Sequence, residues 1–476
     1  MLNEFIQNVI KDWKVPGAAV AVIENGVVTS TNYIGFAKVD TPVNENTLFA
    51  IGSTSKAFTA TLAVLGFKSP MSLENASVSI GTGDNPKDVS LHELLTHTSG
   101  MAPHDFAWFG GGRPRSDLLA AVKMDGLGVT SKALNSGTFQ YSNIGYCLVA
   151  NALEKETSKS FEDLVMERIL KPLEMASSGC DTQKLASSKD AAKPHILTQN
   201  DDVIEMEHYH NTEAVAPAGG LYSTLDDTTK WVLANLGTDS SNLLSKEVLK
   251  QLHTTHTTSK VGVPFLDPLW ANPEIDKPIG YGYGWFTYGY RGERIVEHGG
   301  NIDGFSCLIS MMPEKKSGVI VLTNLQGFPF HLAHNVIAYG AYDRTVFKGK
   351  GDPVDWNTRA LSFSQMVQQG MKGMIDGNTK NAKDVEHENF DDFVGSYYNA
   401  LYGDIVIRPN ATKGSGLELL LHGRRYDFLA LPDKQYWMVD PVLHPTGFVF
   451  TVNDSGELSA TMEPTASPVV FTKQHQ

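Results

Sequence analysis

Ser53 and Lys56 stand three residues apart in the stretch FAIGSTSKAFTATL, from Phe49 to Leu62. At positions i and i+3 of a helix the two side chains lie on one face, about one turn apart. Gly52 permits a sharp entry from the extended segment before it. Ser53 then falls at a helix start, where unpaired backbone N–H groups and the positive dipole end favour a negative oxygen. The same field, with burial, disfavours a protonated lysine, so a desolvated Lys56 could take the proton of Ser53. Taken alone, S-x-x-K is more often a capping serine beside a solvated lysine. Two further groups change that balance. Tyr141-Ser142-Asn143 lies 88 residues beyond Ser53, and His298-Gly299-Gly300 lies 157 residues beyond Tyr141. Tyr-x-Asn recurs at Tyr209-His210-Asn211 and Tyr397-Tyr398-Asn399. Tyr141 is preferred because it ends the extended Thr138-Phe139-Gln140 and opens an apolar helix from Ile144 to Leu153, which suits a cleft edge.

The elements that must hold these groups come from both ends of the region. MLNEFIQNVIKDW reads as an amphipathic helix. Ala18 to Ile23 and Val27-Val28, joined by Asn25-Gly26, carry a strong hairpin signal. Strand character returns at Phe305–Met312 and Gly318–Thr323 as apolar runs expected of buried central strands. A helix follows over about Leu332–Val346. The expected assembly is α+β: an antiparallel sheet flanked by helices, with the mainly helical Ser53–Leu236 region forming a second lobe and a cleft between them. Residues 1–350 form this first unit. Residues 351–388 are expected to be a linker, with a short helix over about Ser362–Met374 and a polar stretch from Asp376 to Asn381. From 389 to 476 short strands alternate with turns (Gly403–Ile407, Leu417–Leu421, Tyr436–Val439 and Phe448–Val452, the last closed by Asn453 to Gly456), the texture of a small β-barrel. Every candidate catalytic residue precedes that unit, so a chain cut near Asp376 is expected to keep its chemistry.

Composition narrows the function further. The 476 residues carry 39 Lys and Arg against 53 Asp and Glu, a net charge of −14. That balance opposes nucleic acid and anionic membrane surfaces. No apolar run approaches the length of a membrane span. The N-terminus lacks the basic start and apolar centre of a signal peptide, so a cytoplasmic location is favoured over a processed exported form. Cys147, Cys180 and Cys307 are too few and too scattered for a disulfide framework. His208-x-His210 and His253-x-x-His256 lack partner carboxylates or cysteines at metal-site spacing, so no metal and no cofactor is expected. His97 reads as structural. Tyr281, Tyr283, Trp285, Phe286 and Tyr288 read equally well as strand packing or as a cleft wall, and Tyr222 has a weaker claim on the cleft.

Taken together, S-x-x-K, Y-x-N and H-G-G in this order resemble the signature of the class C β-lactamase-like, penicillin-recognising serine hydrolases, whose members include D,D-peptidases, D-aminopeptidases and esterases. The phrases Leu94 to Gly100 (LLTHTSG), Lys171 to Met175 (KPLEM) and Pro217 to Thr224 (PAGGLYST) share the likeness, which covers about residues 1–346. The unit after Phe390 is similar to the lipocalin-like barrel that many such hydrolases carry. The resemblance implies Ser53 as acylated nucleophile, Lys56 as its base and Tyr141 as a second acid/base group. It implies that Asn143 holds the substrate amide and Lys56, and that the backbone N–H groups of Ser53 and Asn301, the residue after His298-Gly299-Gly300, form an oxyanion hole. The implied partner is a small amide or ester, D-amino-acid peptides included.

Two departures bear on specificity. His298 stands where the β-lactamase pattern has the lysine of K-T-G, so a permanent cation for a substrate carboxylate is missing and poor β-lactam turnover is expected. Phe67-Lys68-Ser69-Pro70-Met71-Ser72 replaces an acidic or glycine turn. Besides hydrolysis, the same acyl-enzyme could serve an acyltransferase or cyclase, and a weakly active scaffold with the barrel as its working part is the remaining alternative. Oligomeric state is left open.

Overall fold

A computed structural model describes residues 2–66, 70–81, 86–109, 113–122, 137–198, 200–206, 212–258, 271–327, 331–384, 394–410, 417–431, 435–440, 444–452, 458–461 and 469–474. The expected features at Phe67 to Ser69, His208 to Asn211 and Asn453 to Gly456 lie outside the described residues.

The N-terminal helix α1 (Leu2–Asp12) leads into the hairpin β1 (Gly17–Glu24) and β2 (Val27–Lys38), with a short β3 (Thr41–Pro42) behind it. Asn25 and Gly26 both take positive φ, 52° and 79°, as a tight turn at Asn-Gly requires. The nucleophile segment follows as a 3₁₀ turn over Gly52–Thr54 that runs into α2 (Ser55–Gly66). Helix α3 (Asn143–Thr157) packs against α2. The chain then returns to the sheet through β4 (Thr257–Thr258), β5 (Ile275–Tyr281), β6 (Phe286–Tyr290), β7 (Glu293–Ile302), β8 (Phe305–Met312) and β9 (Ser317–Thr323). The sheet order is β4-β5-β6-β7-β8-β9-β1-β2-β3, so β1 sits between its hairpin partner and a strand made some three hundred residues later, with Ala18 opposite Thr323. Residues of β8 and β9 are buried throughout, as their unbroken apolar runs require of central strands. Helix α4 (Ala333–Arg344) covers one face with α1, and α2 and its neighbours cover the other. This is the β-lactamase/transpeptidase arrangement, α+β, with a helical lobe over one face of the sheet.

The segment expected as a short helix and polar linker is one helix, α5 (Trp356–Asp384), of 29 residues. Its Asp376-to-Asn381 stretch lacks proline, and glycine alone does not end a helix. Trp356 anchors its start beneath the sheet, its indole N–H donating to Tyr290 at 2.9 Å. Beyond it, β10 (Gly395–Asn399), β11 (Gly403–Pro409), β12 (Leu417–Leu421), β13 (Arg424–Leu431), β14 (Gln435–Asp440), β15 (His444–Val452), β16 (Leu458–Thr461) and β17 (Val469–Lys473) each pair antiparallel with the next. β10 also pairs with β17, which closes the barrel in the up-and-down manner of lipocalin-like domains.

Candidate active site

Gly52 lets the nucleophile turn approach β7. It has φ +50°, and a Cβ there would lie 2.9 Å from the Asn301 nitrogen. Gly300 is as tightly constrained, since its Cβ would lie 2.1 Å from the Ile51 carbonyl. The backbone of the 3₁₀ turn therefore rests directly on the strand that carries His298 to Asn301. Cys307 supports the same contact from β8, its thiol donating to the Ile51 carbonyl at 2.9 Å.

Lys56 is fully buried in the first turn of α2. Its Nζ donates to Asn143 Oδ1 at 2.6 Å and to the Ala218 carbonyl at 2.9 Å, and lies 3.2 Å from Ser53 Oγ. The rings of Tyr141 and Tyr146 stand 4.6 and 5.6 Å from it. Burial pushes the Lys56 ammonium down to about 7, against the opposing pull of the Asp105 carboxylate.

Tyr141 precedes α3 and is hydrogen-bonded to Ser53; burial drives its phenol well above the ordinary tyrosine range. Ser142 caps α3 by accepting from the Gly145 N–H, which leaves Asn143 in the first turn facing Lys56. Asn143 Nδ2 donates to Asp105 Oδ1 at 2.8 Å. His97 orients this entry: the Ser142 N–H donates to its Nδ1 at 3.1 Å, and its ring packs on Tyr141 with centroids 4.3 Å apart. Burial holds His97 neutral, which fits its structural reading.

His298 is also buried and neutral, pushed down to about 3 by desolvation first and by Lys56 second. Both ring nitrogens are engaged. Nδ1 lies 2.6 Å from the Gly299 carbonyl, which can only accept, so Nδ1 carries the proton. Nε2, 3.1 Å from the Tyr281 hydroxyl, then accepts from it. Tyr281 thus lines the site, whereas Tyr288 points to the opposite face of the sheet and donates to Glu297 at 2.6 Å. Asn301 is exposed, and its Oδ1 accepts from Ser306 at 2.6 Å.

The structure thus brings Ser53, Lys56, Tyr141, Asn143, His298 and the His298-to-Asn301 strand into one cluster. It does not bring the other Tyr-x-Asn of the described residues there: Asn399 shapes a barrel turn, accepting from the Leu401 and Tyr402 N–H groups. His253 and His256 turn to Asn235 and to the Gln251 carbonyl rather than to each other. Asp105 and the Ala218 carbonyl were not anticipated. Ala218 lies in the PAGGLYST phrase, but a backbone acceptor has no side-chain signature. Asp105 carries no motif at all.

A family model described as Beta-lactamase matches residues 2–341. The chain belongs to the beta-lactamase family. It is similar to an unguisins hydrolase, ungD', of Aspergillus campestris, 27% identical over 390 residues that span 78% of this chain and 69% of that protein. Among solved structures, the octameric penicillin-binding protein homologue from Pyrococcus abyssi superimposes with a TM-score of 0.58 at 22% identity and covers 99% of both chains. D-amino acid amidase from Ochrobactrum anthropi does so with a TM-score of 0.55 at 19% identity, over 76% of this chain and 99% of its own. None of the helices among the described residues is long and apolar enough to cross a membrane.

Proposed function

We infer that the protein is a serine hydrolase that works through an acyl-enzyme at Ser53 on small amide or ester substrates. The observation that carries this is the environment of Lys56. A neutral amine has two N–H donors and one lone pair. Asn143 Oδ1 and the Ala218 carbonyl can only accept, so they take both donors and leave the lone pair toward Ser53 Oγ. Lys56 would then take the Ser53 proton as Oγ bonds to the substrate carbonyl carbon. The resulting oxyanion would sit between the N–H groups of Ser53 and Asn301, each donor contributing about 3 kcal/mol. Tyr141, held as a neutral phenol beside Ser53, would relay that proton to the departing amine or alkoxide, and water would then release the acyl group. The 27% identity to a protein named as a hydrolase supports the reaction class.

His298 supports the substrate class. A neutral imidazole with both nitrogens engaged offers no cation to a substrate carboxylate. Poor β-lactam turnover is expected, with better activity on short acyl esters and small peptide amides, D-residue peptides among them. Intact mass after a fluorophosphonate should show one adduct, lost in Ser53→Ala. A panel of a chromogenic cephalosporin, p-nitrophenyl butyrate and D- and L-alanyl anilides tests specificity. An adduct retained in Ser53→Ala would refute the nucleophile; a cephalosporin with much the highest kcat/KM would refute the substrate class. On the same reading the chain divides into a hydrolase unit, 1–350, a connecting segment, 351–388, most of it α5, and a barrel unit, 389–476.

A further inference from the structure

The C-terminal barrel reaches the segment beside the site. Its turn between β10 and β11 meets the loop that carries Asp105. The Tyr402 hydroxyl and His104 Nδ1 share a hydrogen bond of 2.7 Å, both residues fully buried. Arg113 donates to the Ala400 carbonyl at 2.8 Å and to that of Leu401. His422, from the turn between β12 and β13, lies 3.1 Å from the Phe106 carbonyl and donates to it. Residues 104 and 106, which flank Asp105, are therefore tied to the barrel. His104 takes a left-handed conformation, φ 46°, uncommon outside glycine and sustained only where the surroundings dictate it.

Asp105 faces the other way. Its Oδ1 accepts from Asn143 Nδ2 at 2.8 Å and from the Trp108 indole at 3.0 Å. A carboxylate can only accept, so this bond decides which end of the Asn143 amide faces Lys56. Were the amide reversed, two N–H donors would oppose the Lys56 amine, and Nζ could no longer direct its lone pair at Ser53.

We propose that Asp105 is a positioning residue for the Ser53–Lys56 pair, acting through the Asn143 amide, and that the barrel turn 399–402 holds Asp105 in place through His104 and Arg113. The proposal rests on the reading of Ser53 as nucleophile. It revises the expectation that a cut near Asp376 leaves the chemistry intact: the barrel supplies no reacting group, yet supports the loop that aligns one.

Geometry and charge are separable by experiment. The groups facing Lys56 are Ser53 on its own turn, Asp105, His97, Tyr141, Asn143, Tyr146, Cys147 and His298, of which Asp105 is the carboxylate. The acylation rate of the full-length chain by a fluorophosphonate, followed by intact mass across pH, is the readout. Asp105→Ala should slow the plateau rate roughly ten- to hundredfold, the size of one lost charge-assisted hydrogen bond. Asp105→Asn keeps an acceptor for Asn143 but no charge. It should restore most of the plateau rate while moving the acidic limb to lower pH, since the carboxylate that favours the Lys56 ammonium is gone. Tyr402→Phe should slow acylation about two- to tenfold, with no further loss in the Asp105→Ala background, because the two act in series. Tyr398→Phe, on an exposed barrel position, should change nothing. An unchanged rate in Asp105→Ala, failure of Asp105→Asn to rescue, or equal Tyr402→Phe losses in both backgrounds would overturn the positioning role while Ser53 labelling stands. Absence of labelling at Ser53 in the unaltered protein would overturn both readings.

Discussion

Lys56 concentrates the chemistry in one nitrogen. Its folded-state value of about 7 sits far below an ordinary lysine because burial removes the water that would stabilise the ammonium. Below that value the amine is protonated and cannot accept from Ser53, so the acylation rate should rise with pH through a midpoint near 7 and then level. Lys56→Ala should lower it by at least ~1,000-fold, since nucleophile and base act as one unit. Stopped-flow labelling from pH 5 to 9 checks both; a pH-independent rate would remove Lys56 from the reaction. The residues that meet here were legible because each motif pairs side-chain types that chemistry needs at spacings that helix and strand geometry accept. Asp105 was not. It meets Asn143 across a separation of 38 residues in sequence, and a lone aspartate outside any motif looks like any turn residue.

The 3₁₀ turn and β7 meet through glycines rather than side chains, so small changes there should cost function more than fold. Gly52→Ala places a methyl 2.9 Å from the Asn301 nitrogen at a φ that L-residues avoid. Losing one oxyanion donor predicts a drop of roughly 100- to 1,000-fold in kcat, measurable on p-nitrophenyl butyrate with the circular dichroism spectrum unchanged; an active Gly52→Ala enzyme would show that β7 does not supply the donor. The opposite face of the same strand holds Glu297, buried among the hydroxyls of Tyr288 and Tyr339, with its carboxyl raised to about 7 by burial. A folded-state value above the ordinary 4.5 means the stabilising proton is held at low pH and lost as pH rises through 7. Above that, the penalty is on the order of 3 kcal/mol at about 1.4 kcal/mol per pH unit. Glu297→Gln should therefore melt several degrees higher than the native protein at pH 8 and about equally at pH 5. Strand positions were readable from apolar runs. The 29-residue α5 was not, because its polar middle looked like a linker and its anchor, Trp356, packs against Tyr290 sixty-six residues earlier.

Across the whole molecule, buried histidines decide behaviour in acid. Desolvation pushes His253, His298 and His334 to about 3 and His331 to about 4, so all four stay neutral in the fold. The unfolded chain protonates them near 6.5. Each therefore contributes stability that is complete above pH 6.5 and is lost as pH falls toward its folded value, at about 1.4 kcal/mol per pH unit. Glu297 and Asp105, whose carboxyls burial raises, pull the other way, but they are two groups against four. The denaturation midpoint should fall steeply below pH 6, with net uptake of several protons on unfolding at pH 5 by calorimetry in buffers of different ionisation enthalpy; net release would contradict this. The barrel was legible from its strand spacing, while its contact with the Asp105 loop, made by Tyr402 and Arg113 across nearly three hundred residues, left no local pattern.

The placement of β1 between β2 and β9 also sets a clock. During synthesis, β1 leaves the ribosome roughly three hundred residues ahead of Ser317–Thr323, the strand that pairs with its second edge. At about 5–20 residues per second that is a wait of roughly 15–60 s, with an apolar strand paired on one side only. Asn301 arrives almost as late as β9, so a newborn chain carries its serine and lysine long before it can stabilise an oxyanion. Ribosome-arrested chains ending before Ser317 should be cut by protease within β1 and take no fluorophosphonate, whereas chains extended through β17 and clear of the ribosome should resist the first and accept the second.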